Sequence, residues 1–160
     1  MNEAKAEALK GLAEGGIPIG SILVLNGEII GRGHNQRVQK GSPILHGEMD
    51  CLMNAGRQTS YRDTVIYTTL SPCMMCSGTI VQFKIPRVVV GEAVNFPGSP
   101  EFLRSRGVVV DLLNDPELVR IMGDFIKARP ELWNEDISEQ APFGHHVADP
   151  PPYGTRCESG

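Results

Sequence analysis

Apolar positions recur along this chain in two ways: as short β-branched runs, and as longer segments where a large apolar residue returns every third or fourth place. Residues 2–14 are mostly alanine, leucine, glutamate and lysine, all strong helix formers, and Gly15-Gly16 ends the predicted helix. The runs Ile22–Leu25 and Glu28–Ile30 flank Asn26-Gly27, which predicts a hairpin because both turn residues tolerate positive φ. Residues 31–43, GRGHNQRVQKGSP, are rich in glycine and polar groups and read as a loop. Leu45, Met49, Leu52 and Met53 then fall at helical spacing, predicting a helix with one buried stripe and a cap at Gly56.

Further on, TVIYTT at 64–69 is a strand by its β-branched content. Ser71-Pro72 offers an N-cap and a first helical residue for a helix reaching about Phe83. Val88–Val90 and Val108–Leu113 read as buried strands, Asp115-Pro116 opens a helix to about Ala128, and RPELWNED at 129–136 forms a short last helix. A hairpin followed by alternating strands and helices predicts an α/β layered domain whose later strands are parallel. The chain shows no internal repeat.

Composition narrows the class. A chain of 160 residues with 41% hydrophobic and 21% charged residues is expected to be one globular domain. Its net charge of −4 argues against a nucleic-acid-binding face, which gathers Lys and Arg. Apolar runs such as ILVL are strand-sized, so no membrane span is expected. The first residues lack the apolar core of a signal peptide, and the expected location is cytoplasmic. Residues 141–160 are rich in Pro and Gly without periodicity, so the folded domain is expected to be 1–140, followed by a tail whose His145, His146 and Cys157 are incidental.

Two short segments carry the chemistry. Cys73 and Cys76, at i and i+3, share one face at the start of a helix, where exposed N–H groups favour thiolate. His46 stands at the start of another predicted helix, so the two helix N-termini can converge on one cation. One His and two Cys leave the fourth position of a zinc ion open to water, the arrangement of a catalytic site. Glu48 lies close enough to reach that water, whose pKa zinc lowers to about 7, and to pass its proton to a substrate nitrogen. Taken singly, H-x-E is an ordinary helix start, and C-x-x-C is a redox pair or half of a structural zinc site. The redox reading leaves His46 and Glu48 unexplained. A structural site wants a fourth ligand, for which the nearest residues are Cys51, better suited to core packing, and His34, better suited to holding its loop. The joint pattern, H-x-E followed by P-C-x-x-C, is the signature of zinc-dependent base deaminases.

With GGIPIG (15–20), GRGHN (31–35), LHGE (45–48), YTTLSPCMMC (67–76), IPRVVVGEAVNF (85–96) and RPELWNEDI (129–137), the chain resembles the cytidine deaminase superfamily. Within it, the likeness is to fungal-type cytosine deaminases over about residues 5–138, with a shorter first helix than is usual there. The resemblance implies a three-layer α/β/α sandwich around a five-stranded mixed sheet, one Zn2+ per subunit and a homodimer. It implies that His46, Cys73 and Cys76 bind zinc and that Glu48 shuttles protons in hydrolysing a free aminopyrimidine base, cytosine to uracil and ammonia. Asn35 and the backbone N–H of Gly47 would hold the ring, the Ser71 carbonyl would receive its amine, and Asp136 would take a ring N–H or amine. Phe96 and Trp133 would cover the ring, with Ile137 packing at the lid.

One residue departs from that pattern. Asn134 follows Trp133 where the fungal group has an aromatic residue, which makes it a specificity candidate and brings in isocytosine, guanine or another aminoheterocycle as alternative substrates. A tRNA adenosine deaminase would carry H-A-E and a basic surface. A zinc-stabilised binding module without catalysis would lack the shuttle carboxylate, and Glu48 is present.

Overall fold

In a computed structural model describing residues 1–139, twelve elements follow one another. They are α1 (Asn2–Ala13), β1 (Gly20–Leu25), β2 (Glu28–His34), α2 (Arg37–Lys40), α3 (Gly47–Ala55), β3 (Thr64–Leu70), α4 (Met74–Gln82), β4 (Arg87–Glu92), α5 (Pro100–Ser105), β5 (Val109–Leu112), α6 (Pro116–Ala128) and α7 (Pro130–Asp136). The proposed tail, with His145, His146 and Cys157, lies outside the described residues. The strands form one sheet in the order β2-β1-β3-β4-β5, antiparallel across β2-β1-β3 and parallel across β3-β4-β5. The hairpin turn falls at Asn26 and Gly27, both at positive φ as expected.

Alternation along the strands sorts the two faces. On one face, Leu23, Ile66, Val88 and Val90 meet Cys51 and Leu52 of α3, Ile80 of α4 and Leu103 of α5. On the other side, Ile17, Ile19 and Leu70 meet Met122 and Phe125 of α6 and Trp133 of α7, and α1 lies against Gly20 of β1. This is the expected three-layer α/β/α sandwich. Each fully buried aliphatic side chain contributes about 1.5–3 kcal/mol. The Asp115 carboxylate caps α6 by accepting from the Glu117 N–H at 2.9 Å, a contribution of about 1 kcal/mol. Among the described residues, no helix is long and apolar enough to cross a membrane.

Four local expectations need correction. The segment 31–43 is not all loop: Gly31–His34 extend β2 and pair with Gly20–Leu23, and Arg37–Lys40 form α2. Glycine there serves close packing, since a Cβ on Gly33 would collide with the Cys51 backbone of α3. The buried face of α3 is Gly47, Glu48, Asp50, Cys51 and Leu52, whereas Met53 is 55% exposed. The helix turns Glu48 and Cys51 inward, which swings Met49 and Met53 toward an apolar groove shared with Met74, Met75 and Phe83. Ser71 does not cap α4. Its N–H continues the ladder to the Glu92 carbonyl at 2.9 Å, so the cap position passes to Cys73. Finally, the strand expected at 108–113 is β5, Val109–Leu112, and it is not buried: Val109 and Leu112 are exposed. The preceding α5, only 6 residues long, is too short for its periodicity to register in the sequence.

Candidate active site

Two helix N-termini meet beside the C-terminal end of β3. His46 is the N-cap of α3 and Cys73 the N-cap of α4, and neither side chain is used for capping. Both are therefore free to ligate. The ligand atoms of His46, Cys73 and Cys76 lie within 4.8 Å of one another, with the Cys73 Sγ 3.5 Å from the His46 Nδ1. Zinc bonds of 2.0–2.3 Å set tetrahedral neighbours roughly 3.3–3.8 Å apart, so the trio fits a zinc ion, and two sulfurs with one imidazole suit that metal. No other group of three His, Cys, Asp or Glu converges in this way among the described residues. Cys51 is fully buried in the core. His34 is held elsewhere, its Nδ1 3.0 Å from Glu7 and its Nε2 2.8 Å from Glu14, both near α1.

The charges are arranged for this chemistry. The hydrogen bond from the Cys76 thiol, and then that with His46, pull Cys73 down to about 4 despite burial. Cys76 is pushed up, first by that same bond to Cys73 and then by burial. Burial works against the His46 imidazolium, but the Cys73 sulfur and the Asp136 and Glu48 carboxylates outweigh it and raise its pKa. Burial raises the Glu48 carboxyl, and the charge on Cys73 adds to the effect. Glu48 thus retains a proton to a higher pH than an exposed carboxyl, as a group that takes and returns protons needs. Its Oε1 accepts from the Thr68 hydroxyl at 3.3 Å, and the Ser21 hydroxyl donates to Thr68 at 3.1 Å.

A small cavity of ≈ 20 Å³ opens on this cluster, lined by Ile19, His46, Glu48, Leu70, Ser71, Cys73, Phe96, Trp133, Asp136 and Ile137. Phe96 and Trp133 meet edge to face with centroids 5.8 Å apart, a geometry that contributes about 0.5–1.5 kcal/mol beyond burial. Asp136 is a hub: its Oδ1 accepts from the Asn35 Nδ2 at 2.8 Å and the Arg37 guanidinium at 3.4 Å, and lies 3.7 Å from the His46 Nε2. Asn35 is fully buried and is not part of the cavity lining. Gly47 is likewise buried at the start of α3, outside the lining. Asn134 is half-buried on α7 and also lies outside it.

Sequence reasoning missed Ile19, Leu70, Thr68, Ser21 and Arg37. Their only signal was a place inside or beside the segments GGIPIG, YTTLSP and RGHNQR, where nothing in the residue types announces a role. Two larger apolar grooves, ≈ 600 Å³ between α1 and α6 and ≈ 830 Å³ between α3 and α4, bring no metal-ligand set together.

Comparison with known proteins agrees with this geometry. The family profile described as the cytidine and deoxycytidylate deaminase zinc-binding region matches residues 1–92. The chain is 52% identical over 142 residues to a cytosine deaminase of Candida albicans, covering 87% of this chain and 95% of that protein. To a tRNA-specific adenosine deaminase of Streptococcus pyogenes it is 45% identical over 94 residues, covering 57% of this chain and 59% of that protein. A solved structure from work on A-to-I editing by tRNA:A34 deaminases matches with a TM-score of 0.61 at 26% identity, over 71% of this chain and 95% of that one. The guanine deaminase of Nitrosomonas europaea matches with a TM-score of 0.65 at 15% identity, over 78% and 81%, a likeness of fold alone. A profile match over more than half of the chain and a relative 52% identical along nearly its whole length show that this protein belongs to the cytidine and deoxycytidylate deaminase zinc-binding family.

Proposed function

We propose that this chain is a zinc-dependent hydrolase that deaminates a free aminopyrimidine base, converting cytosine and water to uracil and ammonia. The observation that carries the reading is the reach of the likeness. It extends over 87% of the chain to a cytosine deaminase, but over only 57% to a tRNA deaminase. It therefore runs on beyond the zinc-binding region toward the elements that roof the cavity, and a roof of Phe96, Trp133 and Ile137 suits one flat ring.

His46, Cys73 and Cys76 would hold the zinc, which when bound would activate a water as nucleophile at neutral pH. Glu48 takes a proton and delivers it to the ring nitrogen beside the amine-bearing carbon, then carries a second to the amine as ammonia leaves. The Ser71 carbonyl accepts from that amine, while Asn35 and the Gly47 N–H hold the ring edge. Asp136 takes a ring N–H, for which its bond with Asn35 must be shared or exchanged. A volume of ≈ 20 Å³ admits about one water, so a ring enters only after α7 or the loop bearing Phe96 shifts.

The test is ammonia release by zinc-loaded protein offered cytosine, isocytosine, guanine and cytidine in parallel. Turnover of cytosine supports the reading. Turnover of isocytosine or guanine without cytosine overturns the substrate, keeps the zinc chemistry, and directs attention to Asn134. Inactivity on all four with zinc bound moves the search to other aminated heterocycles, and only then to the non-catalytic module.

We also infer a homodimer of the 1–140 domain, acting in pyrimidine metabolism in the cytoplasm, where reduced thiols remain available for metal. The partner copy is assigned to the α3–α4 groove, where Met53, Met74 and Phe83 are 55%, 58% and 41% exposed.

A further inference from the structure

Glu92 ends β4 with 1% exposure, and among the described residues no Lys, Arg or His pairs with it. A buried carboxylate without a counter-ion is costly unless several donors turn toward it. Here they do. Its Oε2 accepts from the Val94 N–H at 2.6 Å and the Asn95 N–H at 3.0 Å, and its Oε1 accepts from the Asn95 side-chain amide at 3.0 Å. The same amide donates to the Val119 carbonyl of α6 at 2.9 Å, so the carboxylate also ties this loop to a helix.

The loop in question, residues 93–99, carries Phe96. It is pinned to Ser71 as well: the Ser71 hydroxyl donates to the Pro97 carbonyl at 2.8 Å, and the Ser99 N–H donates to the Pro72 carbonyl at 2.9 Å. Gly98, at φ +62, lies so close to Ser71 that any Cβ would strike it. Glu92 itself accepts through its backbone carbonyl from the Ser71 N–H at 2.9 Å. The Glu92 carboxylate thus holds the loop that carries the aromatic wall, and its backbone carbonyl holds Ser71, which lines the cavity.

We propose that Glu92 is a positioning residue for the deamination, its carboxylate holding the Phe96 loop, and through that loop the Ser71 hydroxyl, in register with the metal site. The proposal rests on reading that cavity as the substrate site. Its mechanism is geometric: with the carboxylate removed, the amides of residues 94 and 95 lose their acceptor, the loop relaxes, and the ring loses its wall before the zinc cluster is disturbed.

The test compares Glu92→Ala, Glu92→Gln and Asn95→Ala with the unaltered protein by zinc content, KM and kcat on the base turned over, and acrylamide quenching of fluorescence. Trp133 is the only tryptophan in the chain, so its emission reports on the wall it forms with Phe96. Glu92→Ala should retain stoichiometric zinc, raise KM at least ~tenfold with a smaller change in kcat, and make Trp133 about twofold more quenchable. Glu92→Gln should recover part of the loss, because its carbonyl keeps the two backbone donors while its amide opposes that of Asn95. A folded, zinc-loaded Glu92→Ala with KM and quenching both unchanged overturns the proposal, as does a fall in thermal stability alone. If Glu92→Ala does not fold, Glu92→Gln and Asn95→Ala decide in the same way. The quenching readout needs no substrate. A shift in it, in a protein inactive on cytosine, sinks the substrate reading and leaves the positioning role standing.

Discussion

At the scale of single residues, three influences converge on one carboxyl. Burial and the Cys73 charge raise the pKa of Glu48, and the Thr68 hydroxyl fixes one of its oxygens. Nothing in the expected ligand set needs Glu48 to hold metal. Glu48→Ala should therefore retain zinc by metal analysis while ammonia release falls by about 10²–10⁴-fold, and near-normal turnover in the zinc-loaded variant would remove the shuttle role. The ligands and Glu48 were legible because their relation is local, two residues apart in one arm and three in the other, with helical geometry supplying the common direction. Thr68 and Ser21 were not. Their hydroxyls meet only because β1 and β3 pair with Ser21 opposite Thr68, a register that no residue type announces.

Between elements, buried polar groups do much of the docking. His34, 3% exposed at the end of β2, is gripped by Glu7 of α1 and Glu14 just beyond it, and the next residue, Asn35, reaches Asp136 at the end of α7. The hydrogen bond to His34 lowers the Glu14 pKa below its usual 4.5, and Lys10 and Gln39 act in the same direction. A depressed carboxyl stabilises the fold above its unfolded pKa, and that contribution disappears as pH falls through the folded value. Thermal unfolding of the wild type against Glu14→Gln should show an advantage at pH 6 that shrinks as pH drops below about 4.5. An advantage that stays constant into that acid range would mean the grip does not depend on the Glu14 charge. The expectation that His34 holds its own loop by a hydrogen bond is met only in part: its ring mainly grips Glu7 and Glu14, with Gln36 as its one contact toward that loop among the described residues. The two carboxylates lie 27 and 20 residues away in the chain, so they could not be read from spacing.

For the whole molecule, the outward turn of Met53 and Met74 leaves an apolar groove that a second copy would cover. Sedimentation should show a dimer for the unaltered protein and a monomer for Met53→Asp/Met74→Asp, and a wild type that is monomeric at micromolar concentration would sink that assignment. The amphipathic reading of α3 failed for a related reason. Periodicity reports that a helix has an apolar face, whereas a core on one side and a groove on the other require two. By itself, the sequence determined the α/β class, the hairpin, the parallel later strands and the zinc-ligand spacing, because periodicity, turn chemistry and short covalent distances are local properties. Only the tertiary structure decided that glycines in β2 serve close helix packing, that the α4 cap passes to Cys73, that Asn35 and Asp136 bond to each other, and that Glu92 organises the Phe96 loop. Each of these depends on which distant segments the sheet brings together, and strand pairing is set by the packing of the whole chain.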